Sequence, residues 1–243
     1  MEPLELRRAR YARMRWNTPL AVDHADALLE GLDVQPDARM LDLGCGWGEL
    51  LVRALLRADG SVEGVGVDRD ALALERGRER ATQAGLDSRL EFVQGAAEEW
   101  AEPADRVLCV GASQAWGGAA PALEALTGLV RPGGRLLFGD GCWEKPPTGA
   151  AMAMFGDHVL PLADVVGLAT GTGWRVLGLS TADQREWDDF ESSWRLGRQE
   201  WLVAEAHEGP HDEIAAEVER QLLDYVSVYR GVLGFVYLIL ARE

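Results

Sequence analysis

The chain alternates short apolar runs with longer segments in which apolar side chains recur every three or four residues. A short apolar run is typical of a buried strand, and the longer spacing is typical of a helix that buries one face. The runs predict strands at residues 40–43, 62–67, 90–94, 105–111, 135–139, 173–180 and 233–241. The helical spacing predicts crossover helices at residues 49–58, 70–84 and 119–130, and shorter helices at 150–155 and 162–169. Alternating strands and helices indicate a parallel sheet with ligand chemistry at the carboxyl ends of its strands.

Two further helical regions flank this alternating core. Residues 4–30 predict two helices that break near Asn17, and residues 181–231 predict a charged, mostly helical insertion before the last strand. A length of 243 residues suits one α/β domain with an insertion better than two independent domains. We therefore expect a single domain made of an N-terminal helical cap (1–36), a cofactor-binding core (37–180), the insertion (181–231) and the last strand (232–243).

The first strand ends in a turn that carries three alternating glycines, Gly44, Gly46 and Gly48. Glycines permit positive φ and remove the Cβ atoms that would hold a ligand away from the backbone. The helix that follows offers unpaired N–H groups to polar ligand atoms. A dinucleotide fingerprint would need its third glycine where the chain has Glu49 or Leu51, so a nicotinamide cofactor is disfavoured.

Two acids accompany this turn. Asp42 stands just before the glycines, where a carboxylate suits a ligand that carries an ammonium group. Asp68 ends the second strand, about twenty residues beyond the turn, where an acid can accept hydrogen bonds from both hydroxyls of a ribose. The turn and the two acids therefore favour an adenosine cofactor with an amino group.

Residues 41–48 resemble the first motif of the class I S-adenosylmethionine-dependent methyltransferases, and residues 66–68 resemble the ribose-binding acid of that family. The resemblance covers roughly residues 38–140 and implies an α/β fold with a Rossmann-like, doubly wound, seven-stranded, mostly parallel sheet. It would place the last strand antiparallel, between the fifth and the sixth. It implies S-adenosyl-L-methionine as the cofactor and S-adenosyl-L-homocysteine as the product. The cofactor-binding residues that it implies are Asp42, Gly44, Cys45, Gly46, Asp68, Arg69, Ala96, Ala97, Gly111 and Ala112.

One position departs from the family pattern. The acid that usually binds the adenine amino group corresponds to Ala96, so we expect the backbone N–H of Ala97 and packing to hold the adenine. Arg69, next to the ribose acid, either covers the adenine face or is an ordinary surface arginine.

Candidate catalytic and acceptor-binding residues follow the fourth and fifth strands. Asp140 and Glu144 are the candidate general bases, although Asp140 could equally cap a helix or pair with an arginine. Trp116 is either a wall of the acceptor pocket or a packing residue, and Trp143 lies on the same predicted rim. Metal assistance would need a convergent group of acids, and Asp140 is the one obvious contributor, so no metal is expected.

The insertion carries a tryptophan every seven residues, at Trp187, Trp194 and Trp201, so these rings share one helical face. Either this face docks the insertion on the core, or the insertion caps the site and its aromatics line the acceptor pocket. In the second case the residues expected to bind the acceptor are Arg195, Tyr225 and Tyr229. The chain break at Trp16 and Asn17 is a second candidate lid.

Composition narrows the classes of partner. The net charge of −16 argues against nucleic acid and anionic membranes, since both attract basic surfaces. No apolar run reaches the length of a membrane span. Three widely spaced cysteines, Cys45, Cys109 and Cys142, indicate neither a disulfide framework nor a zinc site and fit a reducing compartment. We expect a cytoplasmic monomer or homodimer.

The function predicted from these residues is methyl transfer from S-adenosylmethionine to an oxygen or nitrogen of a small molecule. The chain is similar in this respect to the ubiquinone- and menaquinone-biosynthesis-like methyltransferases. Alignment and desolvation of the acceptor can supply much of the rate acceleration, so at most one general base is expected. Two alternatives stay open, namely a protein that binds S-adenosylmethionine without turnover and an NAD-dependent oxidoreductase.

Overall fold

The computed structural model describes residues 4–204 and 211–242, so residues 205–210 of the predicted insertion lie outside the described residues. One sheet runs through the described chain. Its strands are β1 (Arg39–Leu43), β2 (Glu63–Asp68), β3 (Leu90–Gln94), β4 (Ala104–Val110), β5 (Val130–Trp143), β6 (Leu160–Pro161), β7 (Arg175–Thr181) and β8 (Leu233–Ala241).

The strand order is β3-β2-β1-β4-β5-β8-β7, and the two-residue β6 pairs with β5 beside this path. Strands β1 to β5 are parallel, whereas β8 is antiparallel to both of its neighbours, β5 and β7. This order confirms the predicted Rossmann-like sheet, with the last strand inserted between the fifth and sixth predicted strands. The short β6 was not predicted, because two residues are too few to show an apolar pattern.

Helices cover both faces of the sheet. They are α1 (Leu4–Ala12), α2 (Val22–Leu32), α3 (Glu49–Arg57), α4 (Ala71–Gln83), α5 (Ala119–Leu126), α6 (Gly149–Phe155), α7 (Leu162–Gly171), α8 (Gln184–Ala204) and α9 (His211–Asp224), with a π-helical turn at Tyr225–Tyr229. The crossover helix α4 begins as its sequence predicts, because the Asp70 side chain accepts hydrogen bonds from the N–H groups of Leu72 and Ala73.

The fifth strand is longer than the apolar pattern at 135–139 predicts. β5 continues to Trp143 because β8 pairs with it residue by residue, from Arg135 opposite Ala241 to Trp143 opposite Leu233. The preceding helix is shorter than predicted, since α5 ends at Leu126.

Two buried clusters lie on opposite faces of the sheet. We call the cluster that contains Trp187 and Tyr237 the front core, and the cluster that contains Leu123 of α5 and Val165 of α7 the back core. Side chains of β5 alternate between them: Leu137 and Trp143 belong to the front core, whereas Leu136, Phe138 and Cys142 belong to the back core. Odd-numbered residues of β5 therefore point to the front core and even-numbered residues point to the back core, and we refer to this as their parity.

The tryptophan face of α8 packs against neighbouring side chains. Trp187 is buried in the front core, the Arg198 guanidinium lies 3.7 Å from the centre of the Trp194 ring, and the Trp201 ring stacks on His211 at 5.0 Å. The docking interpretation therefore describes Trp187, whereas Trp194 and Trp201 make these contacts with residues of the insertion itself.

Helix α1 packs on α8 at one very close point. A Cβ atom on Gly197 would lie 1.9 Å from the carbonyl oxygen of Ala9, so only glycine allows this approach. Arg13 then forms a bidentate ion pair with Glu200, with N–O distances of 2.6 and 3.0 Å. The glycine thus fixes where the N-terminal helix lies.

We predict that Gly197→Ala displaces α1 from α8 and lowers the free energy of unfolding by about 1–3 kcal/mol, the usual cost of overpacking. Faster amide hydrogen exchange over residues 11–18, measured by mass spectrometry, would report the displacement. Gly167→Ala is the matched control, because Gly167 also lies in a helix but a Cβ there meets no atom within 4 Å. Equal exchange over residues 11–18 in both variants would contradict the prediction.

Candidate functional site

A cleft of about 780 Å³ opens where β1, β2 and β4 end. Its walls come from the glycine turn after β1, the residues that follow β2, the short 3₁₀ turn Ala97–Glu99 after β3, and the loop after β4. The segment between α1 and α2 closes the remaining side with Trp16, Asn17 and Thr18. The cleft therefore lies where parallel α/β sheets bind ligands.

The glycine turn is held close to two neighbouring elements. The N–H groups of Gly44 and Cys45 both donate to the carbonyl oxygen of Val67, at 2.9 and 3.0 Å. A Cβ on Gly44 would lie 2.4 Å from the Ala112 side chain. Gly46, at φ 55°, lines the cleft, and a Cβ there would meet no atom within 4 Å. The turn thus presents bare backbone to the cleft at Gly46.

Asp68 is positioned by the backbone around it. Its Oδ2 accepts a hydrogen bond from the Gly46 N–H at 2.7 Å, and its Oδ1 accepts one from the Asp70 N–H at 2.8 Å. A carboxylate oxygen has more than one lone pair, so both oxygens can still accept from a ligand in the cleft. Asp68 therefore ties the glycine turn to β2 and remains available for binding.

Asp42 is a buried acid beside Asp68. Only 5% of its surface is exposed. Burial, and secondarily the nearby Asp68 carboxylate, raise the pKa of Asp42 to about 8. Near neutral pH the carboxyl is therefore mostly protonated, and a cation placed against it would restore the charge.

Glu98 is a further cleft residue, which the sequence-predicted set omits. It lies in the 3₁₀ turn Ala97–Glu99 and lines the cleft with Ala97. Its Oε1 pairs with the Arg69 guanidinium, whereas its Oε2 is buried and has no hydrogen-bond partner in the part of the chain that the structure describes. A buried carboxylate oxygen without a partner is costly, so it points to a donor supplied by a ligand.

The segment that closes the cleft is anchored by Trp47 and Arg76. The Trp47 indole N–H donates to the Arg15 carbonyl at 2.5 Å. Arg76 donates to the carbonyls of Tyr11 and Met14, at 2.7 and 2.6 Å, and its guanidinium lies 4.2 Å from the centre of the Trp47 ring. Two charge-assisted bonds from Arg76 and one neutral bond from Trp47 hold the cap against the rim of the cleft.

The structure brings most of the sequence-predicted site residues together. Those that line the cleft are Trp16, Asn17, Asp42, Gly44, Cys45, Gly46, Asp68, Arg69, Ala97, Gly111 and Ala112. Those outside its lining are Ala96, Trp116, Asp140, Trp143, Glu144, Arg195, Tyr225 and Tyr229. The predicted cofactor residues thus gather at one site, while most of the predicted catalytic and acceptor residues lie elsewhere.

The two candidate bases lie on the back face. Asp140 has the parity of the back-core residues, and it accepts hydrogen bonds from the Ser113 hydroxyl at 2.5 Å and the Gly141 N–H at 2.8 Å. Burial raises the pKa of Asp140, against the effect of those two bonds. Glu144 is exposed and packs across Gly234, where a Cβ would lie 2.4 Å from its Cγ. Neither carboxyl is aimed at the cleft.

The predicted acceptor residues of the insertion form a buried polar cluster. The Tyr225 hydroxyl donates to Asp188 at 2.6 Å, and the Tyr229 hydroxyl donates to Glu191 at 2.8 Å. Arg195 also contacts Glu191, at 3.4 Å. These contacts join α8 to the π-helical turn. Trp116 packs against the back core, as its packing interpretation expects.

Two absences apply to residues 4–204 and 211–242. No described helix is long and apolar enough to cross a membrane. In the same part of the chain, no group of three or more His, Cys, Asp or Glu side chains is placed to hold a metal ion.

Comparisons with known proteins agree with this geometry. The sequence model of a family described as a methyltransferase domain matches residues 35–173. The uncharacterized protein YjhP of Escherichia coli K12 is 31% identical over 240 residues, which cover 94% of each chain. A crystal structure of an S-adenosylmethionine-dependent methyltransferase from Thiobacillus denitrificans, in complex with S-adenosylhomocysteine, is 27% identical, with a TM-score of 0.88 over 100% of both chains. The corresponding complex from Geobacter sulfurreducens is 27% identical, with a TM-score of 0.89 over 100% of this chain and 99% of that one.

We predict that Asp42→Asn stabilises the protein at neutral pH. The folded pKa of Asp42, about 8, lies above its unfolded value, so the wild type loses stability as pH rises from about 4 to 8 and then levels off. The variant lacks this loss, so its free energy of unfolding should exceed that of the wild type by on the order of 1–4 kcal/mol at pH 7 and by almost nothing at pH 4. Urea unfolding at pH 4, 5.5, 7 and 8.5 measures the trend.

Asp59→Asn is the control for this trend. The N–H and the hydroxyl of Ser61 hold the pKa of Asp59 below its usual value, so the same substitution there should not stabilise the protein as pH rises. A gain for Asp42→Asn that is independent of pH would show that Asp42 is ionised in the folded protein and would contradict the prediction.

Proposed function

The chain belongs to the methyltransferase-domain family, and from this premise we propose that it transfers the methyl group of S-adenosylmethionine to an oxygen or nitrogen of a small-molecule acceptor. The observation that carries the proposal is the set of three carboxyl groups, of Asp42, Asp68 and Glu98, around one cleft beside the unobstructed Gly46. S-adenosylmethionine carries three matching donors, namely an ammonium group, two ribose hydroxyls and an adenine amino group.

Each carboxyl group suits one of these donors. Asp42 would hold the ammonium group, whose positive charge would favour the ionised carboxylate despite its burial. Asp68, at the end of β2, would accept from the ribose hydroxyls. Glu98 would accept from the adenine amino group through Oε2, the oxygen without a partner. Glu98 thereby takes the place of the adenine-binding acid that the sequence lacks at Ala96.

When bound, S-adenosylmethionine supplies an electrophilic methyl group on its sulfonium sulfur. The residues of this chain orient that group and keep water away from it. The cap residues Trp16, Asn17 and Thr18 cover the cleft, and Gly111 leaves room beside it on the acceptor side. We assign no general base to Asp140 or Glu144, because neither reaches the cleft. Alignment and desolvation then supply the rate acceleration, and the acceptor proton leaves to water.

The charge of the chain supports a small-molecule acceptor. A chain of net charge −16 repels the phosphates of nucleic acids and anionic lipids. An acceptor that enters between the cap and the sheet must also be small. We propose that the charge excludes nucleic acids and anionic membranes as acceptors.

We predict that Glu98→Ala weakens the binding of S-adenosylhomocysteine by roughly tenfold, the effect of losing one charged hydrogen bond. S-inosylhomocysteine carries an oxygen in place of the adenine amino group, so wild type should bind it more weakly than S-adenosylhomocysteine. Glu98→Ala should remove this preference, as measured by isothermal titration calorimetry. The exposed neighbour Glu99→Ala is the matched control and should retain it. If Glu98→Ala still prefers S-adenosylhomocysteine to S-inosylhomocysteine, another group accepts from the adenine amino group and the assignment to Glu98 is wrong.

We further predict which cofactor binds. Calorimetry with S-adenosylmethionine, S-adenosylhomocysteine and NAD should detect the two sulfur ligands and not NAD, and Asp68→Ala should abolish binding. Binding of NAD alone would overturn the proposal. The turnover of S-adenosylmethionine to S-adenosylhomocysteine over an acceptor panel then separates an enzyme from a protein that only binds the cofactor.

A further inference from the structure

Strand β5 carries two glycines on the front face of the sheet, next to the cleft. Gly139 and Gly141 have the same parity as Trp143, which belongs to the front core. A Cβ on Gly139 would lie 2.9 Å from the Phe235 ring, so that position is filled. A Cβ on Gly141 would meet no atom within 4 Å, and Gly141 is partly exposed. Open space therefore lies over Gly141.

This space adjoins the cleft through one aromatic ring. Phe235 lies opposite Gly141 in the strand pairing, and its ring is 3.7 Å from the position of a Cβ on Gly111. Gly111 lines the cleft at the end of β4. The same Cβ position on Gly111 lies 3.4 Å from Thr18 of the cap. The cap and Phe235 therefore both border the opening between the cleft and the space over Gly141. A molecule over Gly141 would thus lie beside the reactive end of the cleft.

Trp143 is the next side chain on this face. Only 5% of its surface is exposed, and its indole N–H is buried with no hydrogen-bond partner among the described residues. An indole N–H can only donate, so the group that satisfies it must be an acceptor. The Phe155 ring meets Trp143 nearly at right angles, with 5.9 Å between ring centres. Beyond Gly141 on this face, the wall therefore combines aromatic surface with one buried donor that the described residues leave unused.

The charges beyond this wall are already paired. Ring contacts lead from Phe155 to Tyr229 at 5.1 Å, and Tyr229 donates to Glu191 at 2.8 Å. The Glu191 carboxylate also contacts the Arg195 guanidinium. A charged group bound next to Trp143 would lose its water without gaining a counter-ion here, which is costly.

We propose that the space over Gly141 binds the methyl acceptor, an uncharged molecule with an apolar or aromatic ring system and an oxygen that accepts a hydrogen bond from Trp143 Nε1. This inference rests on the proposed methyltransferase function. It names the class of acceptor, because an apolar body suits Phe235 and Trp143 and the oxygen suits the indole N–H. It disfavours amino acids, phosphorylated molecules and other charged acceptors.

The test uses three bicyclic probes and the full-length protein saturated with S-adenosylhomocysteine. 1-Tetralone is an uncharged ketone, tetralin is the same ring system without oxygen, and 1-naphthoate is an anion of similar size. The indole groups are labelled with ¹⁵N, and Trp143→Phe assigns the Trp143 signal. We expect 1-tetralone to shift this signal and to bind roughly three- to tenfold more weakly to Trp143→Phe, the effect of one neutral hydrogen bond. Tetralin should bind both proteins equally, and 1-naphthoate should bind most weakly.

Three further variants test the location. Gly141→Val should fill the space and block 1-tetralone, while Gly60→Val fills open space in the turn before β2, at the amino end of that strand, and should not. Trp100→Phe removes an indole group that donates to the Glu102 carbonyl far from the site, and it should leave 1-tetralone binding unchanged.

The outcomes separate the two proposals. If wild type fails to bind S-adenosylhomocysteine, the proposed function fails. If S-adenosylhomocysteine binds but 1-tetralone does not, or 1-naphthoate binds more tightly, the acceptor inference alone is overturned. If 1-tetralone binds without shifting the Trp143 indole signal, the N–H of Trp143 does not donate to its oxygen and instead faces the Phe155 ring. That result would also overturn the acceptor inference.

Discussion

The fold depends on one ring that occupies a slot made by three glycines. A Cβ would lie 2.4 Å from the Phe92 ring at Gly48, 3.0 Å at Gly66 and 2.9 Å at Gly77. These glycines belong to the turn after β1, to β2 and to α4, so one side chain of β3 fixes three elements at once. Close packing of this kind leaves little freedom to shift. The position of the glycine turn, and with it the cleft, follows from this contact.

From that contact the cofactor site builds outward through the backbone. The turn places the N–H of Gly46 at the Asp68 carboxylate, and Val67 receives the N–H groups of Gly44 and Cys45. Glycine is required in the turn for two different reasons. At Gly48 the neighbouring ring leaves no room for a Cβ, whereas at Gly46 a side chain would extend into the cleft. The same residue type thus serves packing at one position and ligand access at the next.

The strand and helix order was predictable from the sequence because each crossover unit is local. Helix α4 shows this, since the capping Asp70 and the closing Gly85 fall where the structure begins and ends the helix. The cleft was predictable because its residues stand directly after strands, in a motif of fixed spacing. Such signals need no knowledge of distant contacts.

The remaining site residues depend on contacts that the sequence does not contain. Asp140 follows the predicted strand 135–139, as a catalytic acid would, but β5 continues through it, and the register of β5 against β8 turns it to the back face. Glu98 was missed because the family pattern aligns its acid with Ala96. The 3₁₀ turn at Ala97–Glu99 brings the carboxylate two residues further on into the cleft. Whether Asp140 and Glu98 reach the cleft thus depends on the sheet face and the turn geometry more than on residue type.

The tyrosines of the insertion illustrate a second limit. Tyr225 and Tyr229 have the chemistry of substrate-binding residues, yet they lie in a π-helical turn and donate to Asp188 and Glu191 of α8. Burial and those carboxylates raise the pKa of both hydroxyls well above the usual range. Their polar groups are used within the fold, so aromatic residues with satisfied hydroxyls hold the insertion in place.

The distribution of charge separates the two halves of the proposed site. Carboxyl groups surround the cofactor cleft, and the repulsion between Asp42 and Asp68 adds to the burial that keeps a proton on Asp42. A cofactor that brings both an ammonium and a sulfonium charge relieves this repulsion, and its product, which lacks the sulfonium charge, relieves it less. Beyond Phe235 the acceptor space offers rings and one neutral donor. The acidic half therefore favours the charged methyl donor over its product, while the neutral half favours an acceptor that brings no charge of its own. In the proposed reaction, transfer would join two molecules that the protein binds by different physical interactions.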